Sequence, residues 1–299
     1  MVVLVLSVCC SCTTPPVTND NILLVTSFYP IYIFTLNIAD SIDEINVSCM
    51  AEQNTGCLHD YQILSRDAKL IADADVFIIN GAGMEAFLED VYMSNENLKI
   101  VDSSKGVTLL ENCDEHHENH EEETHHEHNH SANSHIWMSP ENAKIQVNNI
   151  AESLESFYPQ YKSAIEENKN DYINRLTELS EELSEKAEAL KNENIITFHE
   201  SYDYLASEYG FNVVATVESH EGAEPSAKGL AELVEIIEKH NVNVLFTEPD
   251  YKGSSATILS NETGARILTL NPVIRGEVSL TAYEDIMRAN LETILKAVK

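Results

Sequence analysis

The sequence predicts an α/β protein, with two four-stranded parallel-sheet α/β domains joined by a long rigid helix. Three observations carry this: short apolar strands alternate with amphipathic helices, the order of elements occurs twice, and a stretch without Gly or Pro separates the two runs. In the first run, Ile22 to Thr26 reads as a buried strand, Ile31 to Ala39 as a helix, Ile45 to Cys49 as a strand, Ile63 to Ala72 as a helix and Val76 to Asn80 as a strand. Met84 to Tyr92 then predicts a helix, and Leu98 to Val101 the fourth strand. The second run has strands at Ile195 to Phe198, Asn212 to Thr216, Val242 to Thr247 and Arg266 to Leu270. Helices are expected between them at Ser201 to Tyr209, Gly229 to His240 and Ser254 to Glu262.

Between the runs, Glu141 to Phe157 reads as one helix, broken by Tyr158-Pro159. From Gln160 to Leu190, Tyr161, Ile165, Tyr172, Ile173, Leu176, Leu179, Leu183, Ala187 and Leu190 recur mostly at three- and four-residue steps. As one helix this stretch would be roughly 45 Å long and could run along both domains as a stiff spine. Two shorter helices joined near Lys169 and Asn170 are the alternative. The expected division is 1–20 signal and tether, 21–157 first domain, 158–191 linking helix and 192–299 second domain.

Fifty Asp and Glu against eighteen Lys and Arg leave a formal charge of -32. A polyanion would be repelled over most of such a surface, so nucleic acid is excluded as a partner and cations are favoured. The longest uncharged apolar run, Met1 to Cys10, is too short to span a bilayer as a mature helix. Followed by Cys9, Cys10, Cys12 and a Pro/Thr tether, it reads as the end of a lipoprotein signal. Lipidation is expected at Cys9, three residues after Leu6, with Cys10 and Cys12 as alternatives. The first basic residue is Arg66, so the start is expected to lie inside a longer signal. An extracytoplasmic, lipid-anchored protein permits one disulfide among Cys49, Cys57 and Cys113, with the pair left open.

Seven of the twelve histidines, His116, His117, His120, His125, His126, His128 and His130, fall in one fifteen-residue stretch. Residues 111–130 hold eight acids, seven histidines and no aliphatic side chain to anchor a core. They predict a mobile loop that binds metal weakly, against the plainer reading of a solvated acidic stretch. The remaining chemistry gathers at strand ends, where open parallel sheets bind ligands. His59 lies in the loop after the second strand, His135 in the loop leaving the fourth, and His199 directly after the first strand of the second run. Glu248 and Asn271 follow the last two strands. A lone histidine is more often a cap or a core residue. Three at the same edge of two sheets point instead to one metal-binding cleft.

The segments Thr26-Ser27-Phe28-Tyr29-Pro30, Leu58-His59-Asp60-Tyr61, Ala72 to Glu85 and His135 to Ala143 carry a resemblance, as do Thr197-Phe198-His199-Glu200, Glu224-Pro225-Ser226 and Glu248-Pro249. In order and combination they resemble the solute-binding lipoproteins of bacterial zinc and manganese ABC transporters. That resemblance implies two four-stranded α/β domains joined by a rigid helix, a metal between them, and His59, His135 and His199 as ligands. It also implies zinc rather than manganese, because manganese members tend to have a carboxylate where His199 stands and an Asp where Asn271 stands, and imidazole suits zinc. Two departures are visible: Leu58 stands where some zinc members have Glu, and Asn271 replaces the Asp. The fourth ligand is therefore left between Glu248, Asn271, a loop residue and solvent.

On this reading the protein is a monomer and not an enzyme, receives zinc from the loop and releases it on docking to a membrane permease. No G-x-x-x-x-G-K-[ST] nucleotide motif is present. The stiff helix favours loop rearrangement over a wide clamshell motion. Two rival readings use the same residues: a zinc hydrolase with Glu200 or Glu248 as base, opposed by the lack of H-E-x-x-H, and a surface adhesin or metal store.

Overall fold

The computed structural model describes residues 21–52, 58, 61–88, 95, 97–111, 132–217, 224–249 and 251–297. The first run folds as β1 (Ile22–Thr26), α1 (Tyr29–Ile38), β2 (Ile45–Cys49), α2 (Ser65–Ala72), β3 (Val76–Ile79) and β4 (Lys99–Asp102). Then come α3 (Pro140–Phe157) and α4 (Lys162–Ala187). The second run is β5 (Asn194–Thr197), α5 (Asp203–Tyr209), β6 (Asn212–Thr216), α6 (Ala227–His240), β7 (Val244–Thr247), α7 (Ser255–Thr263) and β8 (Arg266–Thr269), with α8 (Ala282–Ala297) after it. Both sheets are parallel, ordered β2-β1-β3-β4 and β6-β5-β7-β8. Each sheet therefore has a topological switch point between its first and third strands, where a crevice opens at the carboxyl ends.

Burial follows position in the sheet. Every residue of the inner strands β3 and β7 is buried, whereas the edge strands β4 and β8 are largely accessible. All the strands expected from the apolar runs form, with ends shifted by no more than two residues. The stretch from Gln160 to Leu190 is one helix, not two: α4 has 26 residues, about 39 Å at the standard rise, between tight turns at Pro159–Tyr161 and Glu188–Leu190. Its buried face is Ile165, Tyr172, Leu176, Leu179, Leu183 and Ala187.

Two expectations need correction. In place of a helix from Met84, the described part of that segment makes only the short 3-10 turn Ala86–Leu88, and residues 89–94 lie outside the described residues. The Glu85 carboxylate accepts from the backbone N–H of Asn80 (2.8 Å) and Gly81 (3.0 Å), which curls the chain back onto the end of β3. Helix α8 was not anticipated, although Tyr283, Met287, Leu291 and Ile294 bury one face at helical spacing.

Helix α8 and the segment before it tie the two runs together. Arg175 of α4 donates to Glu284 Oε1 (2.6 Å), to the carbonyl of Leu280 (2.9 Å) and to Asn37 Oδ1 of α1. Trp137 Nε1 donates to the Pro272 carbonyl, and Tyr283 Oη to the Trp137 carbonyl, each at 2.8 Å. One continuous apolar core joins α1, α3, α4 and α8.

Candidate metal centre

His135 enters through Asn133-Ser134, between an edge strand and the 3-10 turn Ile136–Met138 that leads into α3. Ser139 caps α3 by accepting from Asn142 N (3.1 Å), and Pro140 opens the helix, so the turn has a fixed end. His135 is 1% exposed. Asn133 Oδ1 lies 2.9 Å from both its backbone N and its Nδ1. A polar layer supports the turn: Asn80 donates to the Ser134 carbonyl (2.9 Å), and Gln146 donates to Asn80 Oδ1 (3.0 Å).

His199 follows β5 in extended conformation. Its Nδ1 faces Ser201 Oγ, which itself donates to Glu248 Oε1 (3.0 Å). With Glu248 ionised, the Ser201 hydroxyl donates to that carboxylate and accepts from its other neighbour, which places the His199 proton on Nδ1. Asn133 Oδ1 is also an acceptor, which puts the His135 proton on Nδ1 too. On both rings Nε2 is then the nitrogen that bears the lone pair, the end that histidines present to a metal when an outer partner holds Nδ1. The two rings meet edge to face with centroids 4.8 Å apart.

Glu248 stands 3.6 Å from His199 Nδ1, behind the ring, and burial pushes its carboxyl up to about 7 against the opposing pull of Ser201 and Arg275. Glu200 Oε1 lies 4.0 Å from His135 Nδ1. Asn271 is fastened through its backbone to Asn290 (2.9 and 2.6 Å) and donates from Nδ2 to the Arg275 carbonyl (2.9 Å). Its Oδ1 is buried and accepts no hydrogen bond among the described residues.

The structure thus brings together His135, His199 and Glu248. His59 lies outside the described residues, as do the loop histidines His116 to His130 and Cys9, Cys10, Cys12, Cys57 and Cys113. Among the described residues no group of three or more His, Cys, Asp or Glu forms a metal-holding cluster. Leu58, one of the two departures noted in the sequence, is buried in the core, and the Cys49 thiol is pushed up to about 12 by burial. Among the described residues no helix is long and apolar enough to cross a membrane. Sequence reasoning missed Asn133 and Ser201, each two residues from a histidine. That spacing was the available signal.

Two parallel sheets of one strand order, spanned by a single helix and bringing one histidine from each half together, define a two-lobed solute-binding architecture. Over residues 24–297 the chain matches, and belongs to, the family described as zinc-uptake complex component A periplasmic. It is 31% identical over 286 residues to the zinc-binding protein AdcA of Streptococcus pyogenes serotype M3, covering 91% of this chain and 55% of that protein. It is also 31% identical over 283 residues to the high-affinity zinc uptake system protein ZnuA of Bacillus subtilis, covering 92% of this chain and 87% of ZnuA. A crystal structure of ZnuA superposes with a TM-score of 0.79 at 26% identity, covering 94% of this chain and 100% of that one. The chain spans about half the length of the AdcA relatives it matches. The family is one of uptake components, not of enzymes.

Proposed function

We propose that this chain is the extracytoplasmic solute-binding component of a zinc-uptake system, which holds Zn2+ between its lobes and delivers it to an ABC-type permease. The observation that carries this reading is the pairing of His135 with His199, from different halves, each with Nδ1 turned onto an oxygen. Membership of a zinc-uptake family supports the choice of metal. His59 is the third ligand, on the strength of its place after β2. Glu248 orients His199 through Ser201, and Asn271, whose Oδ1 has no donor among the described residues, is the fourth contact, direct or through water.

Three neutral imidazoles form the donor set of a zinc site whose fourth position, at Asn271 or its water, is exchangeable. The -32 charge raises the local concentration of cations, and His116 to His130 collect zinc before it reaches the cleft. Lobes at 21–157 and 192–299 are joined by 158–191, and Cys9 anchors the monomer to the membrane. Calorimetry with zinc and manganese on protein lacking residues 111–130 tests the reading. One tight zinc site with weaker manganese binding is expected. Loss of the tight site with the loop would mean that the loop, not the cleft, holds the metal.

A further inference from the structure

We propose that Asn133 is the positioning residue of this centre: it fixes His135 in the Nδ1–H tautomer and ties it to the lobe that carries His199. The inference rests on reading His135 as a zinc ligand.

Asn133 is fully buried, and every polar atom it has is used. Its Oδ1 accepts from the His135 backbone N–H and faces His135 Nδ1, both at 2.9 Å, which closes a tight ring around the histidine. Its Nδ2 donates across the interface to the Glu200 carbonyl and to Asp203 Oδ2, both at 3.1 Å. The main chain is held as firmly: Asn133 N donates to the Leu110 carbonyl (2.9 Å), and its carbonyl accepts from Tyr204 Oη (2.7 Å). Tyr204 Oη in turn accepts from Leu110 N at 3.0 Å.

An amide suits this place because its two ends have opposite roles. The oxygen must accept from an imidazole, and the nitrogen must donate to a carbonyl and a carboxylate. An Asp here would set a second negative charge against Asp203. A Leu would leave the His135 Nδ1 proton to Glu200, whose Oε1 is 4.0 Å away, and so rotate the ring. Glu200 adjoins His199, so one side chain sets the orientation of the first ring and anchors the segment bearing the second.

Four proteins test the proposal: wild type, Asn133→Leu, the exchanged pair Asn133→Asp with Asp203→Asn, and His135→Ala. The readouts are zinc affinity by competition with a chromophoric chelator, the melting temperature of the zinc-free protein, and imidazole nitrogen NMR of His135. Asn133→Leu should bind zinc about tenfold or more weakly, as loss of an outer partner does at metal sites. The exchanged pair keeps an acceptor for His135 and reverses donor and acceptor across to residue 203, losing only the donor to the Glu200 carbonyl, so it should bind more tightly than Asn133→Leu and come back to within about threefold of wild type. A residue that only filled space would lower the melting temperature without changing the affinity of the folded fraction.

Wild-type affinity in folded Asn133→Leu would overturn the proposal. So would an exchanged pair that melts like wild type yet stays tenfold weaker. If neither variant folds, the wild-type spectrum decides: zinc on Nε2 with a proton on Nδ1 supports the role, and zinc on Nδ1 ends it. Unchanged zinc binding in His135→Ala would instead refute the site itself.

Discussion

Asn133 Oδ1 and Ser201 Oγ each face the Nδ1 of a histidine two residues away, so both rings rest against uncharged side chains. The carboxylates Glu200 and Glu248 stand on the Nδ1 side of the rings. Replacing His59, His135 or His199 by Ala should therefore cost at least about tenfold in zinc affinity, near 1.4 kcal/mol, with the fold intact by circular dichroism. Asn271 calls for a different measurement, because its amide oxygen brings no negative charge to a dication. Asn271→Asp should strengthen manganese binding proportionally more than zinc binding, read as the ratio of the two dissociation constants at fixed pH and salt. An unchanged ratio, with Asn271→Ala also silent, would put this residue outside the site. The ligand candidates were legible because strand ends can be located from apolar runs. The orienting layer was not, since an Asn or Ser two residues from a histidine is also ordinary turn chemistry.

At the scale of elements, the strands were legible because each is a short apolar run closed by polar residues, and α4 because its apolar steps continue without Gly or Pro. The turn after β3 was misread because a buried carboxylate overrides local helix preference there. How helices dock is not written in their periodicity either, and Glu208 of α5 illustrates this. It accepts from Ser139 at the start of α3 and from Ser180 of α4 (3.5 Å), with Glu141, Lys144 and Tyr209 also facing the junction. Burial raises its carboxyl above the ordinary value, and the nearby Glu141 adds to the rise. A carboxyl raised in the folded state favours folding below its unfolded pKa, and that contribution is lost as pH climbs through the folded value. Glu208→Gln should therefore gain stability relative to wild type between about pH 4 and neutral pH. Denaturant midpoints at the two pH values check this, and a pH-independent difference would refute it.

For the whole molecule, the acidic balance of -32 means that cation capture should weaken as salt rises, while the cleft itself is screened less. Deleting 111–130 should leave the melting temperature of the zinc-free protein within a few degrees, reduce the number of weak zinc sites and slow growth only when zinc is scarce. A large drop in melting temperature would show that the segment belongs to the fold. The return of α8 to the first lobe also has a consequence in time. Phe34 of α1 stacks edge to face on Tyr283 (5.2 Å), and Arg175 of α4 waits for Glu284. A ribosome delivers those two partners well after the strands of the first lobe, so that lobe is made early yet keeps an open apolar seam until the sixteen-residue α8 emerges. The nascent first lobe is thus held short of its finished form until α8 is made, a state well suited to threading through a membrane before it folds.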